Sequence, residues 1–153
     1  MNGDSVDNHP HRQAVKDNRS IPSAVTIPVL TVADVRAAVA WLGDAFGFEE
    51  RLRIGEGHRS QLEVPGGGAV ILAEVRPDTR LPTSGSAAHS VLVRVTDART
   101  HFERSRETGA RILMEPTDFE YGERQYAVED PFGHRWTFSE TLADVDPTEW
   151  LKP

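Results

Sequence analysis

The sequence has no cysteine among its 153 residues and no long apolar run. The first absence excludes a disulfide scaffold, a thiolate metal site and a cysteine nucleophile. No apolar stretch approaches the roughly 20 residues that span a bilayer. The polar start MNGDSVDNHPHRQAVKDNRS also lacks the apolar core of a signal peptide. These absences predict a cytoplasmic protein with no membrane partner.

Positive charge is scarce as well. The chain has 17 Lys and Arg residues against 24 Asp and Glu residues, which gives a net charge of −7. Such a balance argues against nucleic acid as a partner, because phosphate backbones favour basic surfaces. The length fits one domain, or two small and similar halves that share a core.

A strand and a helix open the ordered part of the sequence. The run VTIPVLTV predicts a strand that ends at Asp34, where a helix begins and continues to Gly47. Three strand candidates follow: EERLRI, HRSQLEV and AVILAEV. Apolar side chains recur after the first strand at the spacing of one helix face; they are Val35, Ala38, Val39, Leu42 and Phe46.

The same order of elements recurs in the second half. SVLVRV predicts a strand that ends at Asp97, a helix follows as far as Gly109, and RILM, RQYAVE and HRWTFS predict three more strands. The repetition indicates an internal duplication of a β-α-β-β-β unit. Each unit would be a small sheet with a helix on one face, so the two units should pair and leave a cleft between their sheets.

The expected fold class is therefore α+β, with two tandem βαβββ units pairing into a cleft-forming curved mixed sheet. Residues 1–23 have few large apolar side chains and predict a flexible leader. The domain covers 24–140, with unit one at 24–76, a linker rich in Pro, Gly and Ser at 77–87, unit two at 88–140, and a C-terminal tail at 141–153.

The stretch YAVEDPFGHRWTFSE predicts a hairpin whose two faces can be assigned. A Pro-x-Gly turn fits a type I turn followed by a Gly bulge, which places Asp130 opposite His134. Because successive side chains of a strand point to opposite faces, the residues of each strand divide into two sets. Tyr126, Val128, Trp136 and Phe138 should pack toward the helix, while Gln125, Ala127, Thr137 and, as a further candidate, Ser139 should face the cleft.

The cleft-facing positions of the first strands lie at equal distances in sequence before the two helix-capping residues, Asp34 and Asp97. They are Ile27, Val29 and Thr31 in unit one, and Ser90, Leu92 and Arg94 in unit two. Alignment of the hairpins adds Gln61 and Glu63, matched to Gln125 and Ala127. The strand 69–75 is apolar on both faces, so either Ile71 and Ala73 or Leu72 and Glu74 face inward.

These patterns resemble the vicinal oxygen chelate superfamily, also called glyoxalase/bleomycin resistance/dioxygenase proteins. The resemblance is carried by VLTVADVRAAVAWLGDAFGF, VLVRVTDARTHFERSRETGA and VEDPFGHRW, and it covers about residues 25–140. The run YGERQYAVEDPFGHRW with its LADVDPTEW tail is similar to a bacterial branch whose members mostly lack assigned substrates.

The resemblance implies paired βαβββ units, usually in a homodimer. Enzyme members would bind a divalent metal through His and Glu from the first and fourth strands of each unit. Resistance members would keep the cleft without the metal and sequester a drug. In this sequence the matching positions are Ile27, Ser90, Thr137 and either Ile71 or Leu72. We therefore expect neither a metal nor another cofactor.

The candidate ligand-binding residues lie on the predicted cleft face or in the YGER loop beside it. Arg94 could hold an anionic group, and Tyr121 beside Arg124 could grip a planar ligand. Glu63 and Glu74 are the weak candidates for a catalytic base. The full ligand-binding set is Gln61, Glu63, Ser90, Leu92, Arg94, Tyr121, Arg124, Gln125 and Thr137.

Three functions remain open from the sequence. The first is a metal-free binding protein for a small, partly apolar molecule, which would sequester an antibiotic or a metabolite. The second is a lyase, isomerase or dioxygenase of the same superfamily that uses a relocated metal or a carboxylate base. The third is a dimeric partner domain without a small ligand.

Overall fold

A computed structural model describes residues 15–151, so the beginning of the predicted leader and the last two residues of the tail lie outside the described residues. Two tandem βαβββ units are present, as the duplication predicts. Unit one contains β1 (Val29–Val32), α1 (Val35–Phe46), β2 (Glu49–Ile54), β3 (Arg59–Glu63) and β4 (Ala69–Glu74). Unit two contains β5 (Val91–Arg94), α2 (Ala98–Glu107), β6 (Arg111–Asp118), β7 (Glu123–Glu129) and β8 (Arg135–Thr141). A short α3 (Pro147–Trp150) follows in the tail.

Each unit forms its own four-stranded sheet. The strand orders are β1-β4-β3-β2 and β5-β8-β7-β6. In both sheets the first and last strands of the unit pair in parallel, whereas the remaining neighbours are antiparallel. The identical order is the structural counterpart of the duplicated sequence.

Both long helices begin at the predicted caps. Asp34 accepts a hydrogen bond from the amide of Ala37 at 3.0 Å, and Asp97 accepts one from Thr100 at 3.1 Å. These carboxylates satisfy amides that have no partner inside the helix. Gly47 ends α1 in the left-handed region at φ 75°, a conformation that glycine adopts without steric cost.

The helices of both units pack into one core rather than two. Phe46, at the end of α1, lies with its ring centroid 5.5 Å from Trp136 and 4.6 Å from Phe138, which belong to unit two. The indole N–H of Trp41 donates to the carbonyl of Thr108, and the guanidinium of Arg104 donates to carbonyls at the end of α1. The two units are therefore joined by apolar packing and by direct hydrogen bonds.

The register of the second hairpin confirms the predicted assignment. Asp130 donates its amide hydrogen to the carbonyl of His134 at 2.9 Å, and Gly133 has φ 91°. Val128 then pairs with Trp136 and Tyr126 with Phe138, and all four are fully buried. The residues between them lie on the opposite face of the sheet.

The structure of β4 shows which of its residues face the core and which face away from the helix, a question that the sequence left open. Leu72 belongs to the core, whereas Ile71 pairs with Val29 on the face turned away from the helix. Both faces of β4 are apolar because both are covered. Ile71 and its β3 neighbour Gln61 are buried even though they lie on the side opposite α1.

Part of that cover comes from residues 19–22. The side-chain amide of Gln61 donates to the carbonyl of Ser20 at 2.9 Å, and Arg51 donates to the carbonyl of Arg19 at 2.7 Å. Pro22 is buried. The flexibility of the leader stays a prediction, but these contacts place its described end against the sheet of unit one.

None of the helices between residues 15 and 151 is long and apolar enough to cross a membrane.

Candidate functional site

The face of the second sheet opposite α2 carries four of the nine predicted ligand-binding side chains, namely Leu92, Arg94, Gln125 and Thr137. We call it the open face, and it is formed by two rows of paired residues. Leu92 pairs with Thr137, and Thr137 with Ala127. Arg94 pairs with Ser139, and Ser139 with Gln125. Side chains in one row are neighbours, because cross-strand pairs on one face lie about 5 Å apart.

Large apolar side chains are exposed on the first strand of each unit. Leu92 is 55% exposed, and Val29, its counterpart in unit one, is 52% exposed. Both point away from the helices, since their neighbours Leu30 and Val93 pack against the core. Exposed apolar side chains beside polar groups are typical of a ligand-binding surface.

A chain of hydrogen bonds crosses the open face. Tyr121 donates its hydroxyl hydrogen to Gln125 at 3.2 Å, and Gln125 donates from its amide to the Ser139 hydroxyl at 3.0 Å. Ser139 in turn donates to the carboxylate of Glu123 at 2.9 Å. Ser139 itself is buried, and the chain fixes the orientation of the half-buried Tyr121 and Gln125, so that they can recognise polar groups of a ligand with a defined geometry.

Aromatic rings flank this row just before the start of β7. The ring of Tyr121 stacks on Phe119 with a centroid distance of 5.3 Å, and Trp150 of α3 lies 5.2 Å from Tyr121. Gly122 permits the tail to pass, since a Cβ there would lie 2.4 Å from the carbonyl oxygen of Ala143. The tail therefore brings an indole ring to the edge of the candidate site.

Several predicted residues of unit one are engaged elsewhere. Gln61 is only 4% exposed and is held by Ser20 and by Arg51, whose guanidinium lies 2.6 Å from its amide oxygen. Glu63 is exposed and lies 3.8 Å from Arg51. The face of unit one is thus less accessible than that of unit two.

Ser90 of unit two is exposed and directly precedes β5.

Strand pairing also corrects the alignment of the two hairpins. Gln61 pairs with Ile71 just as Ala127 pairs with Thr137, so Gln61 corresponds to Ala127 and not to Gln125. The predicted faces are correct, but the predicted match is shifted by two residues. The shift arises at the first turn. Val64 donates its amide hydrogen to the carbonyl of Gly68 there, as Asp130 does to the carbonyl of His134 in the second turn, so Val64 corresponds to Asp130.

Two further predicted residues lie outside the open face. Arg124 shares the face of Tyr126, and its guanidinium donates to both carboxylate oxygens of Asp118, at 2.6 and 3.0 Å. The hydrogen bonds between the two raise the pKa of Arg124 and lower the pKa of Asp118. The ligand role of Arg124 stays a prediction, but this bidentate pair argues against it.

Glu74 lies on the helix side of β4, where its carboxylate is 2.8 Å from Nδ1 of His58. The alternative in which Glu74 faces the cleft is therefore wrong, since Ile71 and Ala73 occupy that face. A pair of exposed groups at the end of a sheet is a common arrangement without a catalytic role.

Sequence reasoning missed Glu123, which supplies the carboxylate of the open face. The signal was available, because the period-two alternation of Gln125 and Ala127 extends back by one step to Glu123. The structure also buries His134, whose ring Nε2–H donates to the carbonyl of Thr31 at 2.8 Å. This contact joins the second hairpin to β1 and depends on the packing of two distant units.

The four positions that correspond to metal ligands in the superfamily do not fit a metal. Ile71, rather than Leu72, is the mate of Thr137, and the remaining positions hold Ile27 and Ser90. Zinc takes imidazole nitrogen or carboxylate oxygen at about 2.0–2.2 Å, whereas two aliphatic chains and two neutral hydroxyls offer almost no ligand strength. Across residues 15–151 no three His, Asp or Glu side chains gather into a possible metal site. A metal-free protein stays a prediction.

Comparisons with known proteins agree on one family. The model of the Glyoxalase/Bleomycin resistance protein/Dioxygenase superfamily matches residues 24–138. Among solved structures, TioX from Micromonospora sp. ML1 is 36% identical, with 78% of this chain and 99% of that chain covered and a TM-score of 0.65. The fosfomycin resistance protein FosX from Listeria monocytogenes, solved with Mn(II) and sulfate, is 15% identical, with 79% and 92% covered and a TM-score of 0.60. The FosX likeness shows the fold alone.

Curated relatives match over a shorter stretch. Uncharacterized proteins of Mycobacterium bovis and Mycobacterium tuberculosis are 33% identical over 69 residues, which is 44% of this chain. The matched stretch spans 45% of the M. bovis protein and 41% of the M. tuberculosis protein. It is thus less than half the length of these relatives.

Proposed function

The chain belongs to the Glyoxalase/Bleomycin resistance protein/Dioxygenase superfamily, and from this premise we propose that it binds a small, partly apolar molecule on its open face without a metal ion. The observation that carries the proposal is the juxtaposition of exposed Leu92 with Thr137, its partner in the sheet, and with Gln125, whose amide is oriented by a hydrogen bond to Ser139. An apolar contact and directional polar groups on one rigid sheet are what a small-molecule site requires.

The apolar part of the ligand would lie on Leu92 and Val29. Covering both side chains removes exposed hydrocarbon from water, which favours binding by about 25 cal/mol for each Å² buried. Neither side chain has another role in the fold, because both point away from the core. Their exposure is thus better explained by an external partner than by packing within the chain.

The polar part would meet Thr137, Gln125 and Arg94. The amide and hydroxyl groups can donate to or accept from a carbonyl or hydroxyl group of the ligand. Arg94 lies beside them and donates to the hydroxyl of Thr141 at 3.1 Å, which leaves further guanidinium hydrogens for an anionic group. Such a surface holds a molecule without any need for bond cleavage, so sequestration of an antibiotic or metabolite is the function we favour.

A thermal-shift screen against small molecules, run with and without a chelator, tests this function. A ligand that binds only the folded state raises Tm by mass action. We expect hits whose shift persists in EDTA and falls in the variants Thr137→Ala and Gln125→Ala. Glu56→Ala, in the exposed turn between β2 and β3, is the control and should keep the full shift.

Two outcomes would contradict the proposal. A shift produced by a divalent ion and reversed by EDTA would favour a metalloenzyme. No shift with either ions or organic ligands would favour a dimeric partner domain. Elemental analysis of purified protein adds an independent check, and we expect less than one divalent metal per chain.

An enzyme without a metal is the second candidate, because the open face does hold a carboxylate. Glu123 accepts from Ser139 and could remove a proton from a bound substrate. Incubation of each screening hit with the protein, followed by mass spectrometry and NMR, distinguishes turnover from storage. Recovery of unchanged ligand supports sequestration, whereas a product that Glu123→Gln no longer forms supports the enzyme.

A further inference from the structure

A cavity of about 420 Å³ lies where the linker crosses the sheet edges of the two units. The linker segment between Arg80 and His89 forms one wall. The opposite wall comes from Val29 and Thr31 of β1 and from the start of β8 at Arg135. The cavity is thus built from both units and from the segment that joins them.

The charges that line this cavity have one sign. Arg80 and Arg135 contribute guanidinium groups, and His89 and His134 contribute imidazole rings. None of the described residues that line it is Asp or Glu. In a chain with a net charge of −7, a concave surface without acids is unlike the composition of the molecule as a whole, and it attracts anions.

Arg135 is the group that most needs a partner. Within residues 15–151 its Nε is buried and has no hydrogen-bond partner. The nearest carboxylate, Glu129, lies 3.8 Å away, and Arg111 lies 3.7 Å from the same carboxylate. Glu129 already accepts from the Ser84 hydroxyl at 2.6 Å and from the Gly85 amide at 3.1 Å. Two guanidinium groups therefore share one carboxylate, and one positive charge remains uncompensated.

We propose that this cavity is an anion-binding pocket, in which Arg135 and Arg80 hold a carboxylate, phosphate or sulfate group. The Arg135 side chain is 32% exposed, so a tetrahedral or planar anion in the cavity would accept hydrogen bonds from its outer N–H groups and supply the missing negative charge. Guanidinium groups are suited to this role because their donors match the spacing of anionic oxygens.

The pocket adjoins the open face. Arg135 lies two residues before Thr137 on the same strand, so alternation places both on one face. A single ligand could thus set its anionic group in the pocket and its apolar body on Val29 and Leu92. The pocket itself does not depend on the proposed function, since it rests on the basic side chains that line it and on the single carboxylate that Arg111 and Arg135 share.

Calorimetric titration with simple anions tests the pocket without knowledge of the natural ligand. Sodium sulfate, sodium phosphate and sodium acetate are compared at constant ionic strength against sodium chloride. We expect saturable binding of at least one of the three anions, with chloride inactive. The order of the three affinities then shows whether a tetrahedral oxyanion or a carboxylate is preferred.

Variants assign the binding to the pocket. Arg135→Gln should weaken the affinity by roughly tenfold or more, as expected when a hydrogen bond to a charged group is lost. Arg80→Gln should also weaken the affinity, and this change lies on the linker, outside both sheets. Arg99→Gln removes the same charge from the exposed surface of α2 and is the matched control.

The proposal is overturned if none of the three anions saturates beyond chloride. Equal affinity in Arg80→Gln and wild type, together with equal affinity in a folded Arg135→Gln protein, would overturn it as well. Circular dichroism establishes the fold of each variant before titration. A negative result here leaves the open face untouched, because binding of uncharged ligands is measured separately through Thr137→Ala.

Discussion

At the scale of single residues, Asp130 determines the geometry of the second hairpin. Its carboxylate accepts from the amides of Phe132 and His134, at 2.9 and 3.0 Å, and from the indole N–H of Trp136 at 2.8 Å. Burial raises the pKa of Asp130, while these hydrogen bonds oppose the shift. One buried side chain therefore closes the turn and orients the largest core residue.

Trp136 and Thr137 are adjacent in sequence, but truncation should cost far more stability at Trp136 than at Thr137. Trp136→Ala should lower the free energy of unfolding by about 3–5 kcal/mol, because it empties a core site and removes a donor from Asp130. Thr137→Ala should cost less than about 1 kcal/mol, since Thr137 is half-buried on the open face. Urea denaturation measures both. Equal losses would mean that the assignment of the two faces is wrong.

His101 should make stability depend on pH. Its Nδ1 contacts the hydroxyl of Tyr126, which also accepts from Ser105. Burial, with a smaller contribution from nearby Arg104, lowers the pKa of His101 to about 4. The folded state therefore binds fewer protons than the unfolded state, in which the pKa is about 6.5. The contribution of His101 is fully present above pH 6.5 and is lost as the pH falls toward 4.

Between pH 7 and pH 5 this linkage should remove about 2 kcal/mol of unfolding free energy. The variant His101→Phe should flatten the decline, whereas His89→Gln, at an exposed position, should retain it. Urea titrations at several pH values provide the measurement. The chosen window lies above the usual range of carboxylate titration, and Asp130, whose pKa is raised by burial, is common to wild type and both variants. An unchanged slope in His101→Phe would exclude His101 as the source.

At the scale of elements, both duplicated helices begin at an Asp residue that caps their N-terminus. Asp34→Ala and Asp97→Ala should each reduce stability by about 1 kcal/mol, because each leaves an amide of the first helical turn without an acceptor. Asp44→Ala, an exposed change near the end of α1, is the control and should be nearly neutral. Thermal unfolding of the three variants gives the comparison. A neutral Asp97→Ala would show that α2 is held by packing alone.

The two sheets have diverged in what covers them. In unit one the open side of β3 and β4 is contacted by Ser20 and occupied by buried Gln61 and Ile71. In unit two the corresponding positions, Ala127 and Thr137, remain partly exposed. Duplication therefore supplied two equivalent surfaces, and the surface of unit two is the more accessible of them within the described chain.

At the scale of the whole molecule, the shared core couples the units. Phe46 contacts aromatic rings of both units, so neither sheet buries its apolar side without the other. This arrangement predicts one cooperative unfolding transition, of the kind that single domains of this size show.

We also expect a homodimer. Exposed apolar side chains also remain on strands away from the proposed ligand contacts, namely Leu52 of β2 and Leu113 of β6. A second copy could cover such surface at low cost, since closed symmetric dimers are the commonest oligomers. Sedimentation equilibrium at micromolar concentration should give about twice the mass of the chain. A mass of one chain would contradict this expectation.

The sequence by itself determined the two units, their helix caps and the faces of the second hairpin. These features depend on local chemistry: the period of apolar residues, the capping Asp residues, and the Pro-Phe-Gly turn that sets register. Each is specified by neighbours within a few positions along the chain.

Only the tertiary structure decided which of these surfaces could form a site. It showed that Ile71 lies opposite the core, that Arg124 is bound to Asp118, and that His134 is buried against Thr31. It also revealed the cavity around Arg135. These properties depend on contacts between segments far apart in the chain, and a local pattern carries no information about what a distant segment covers.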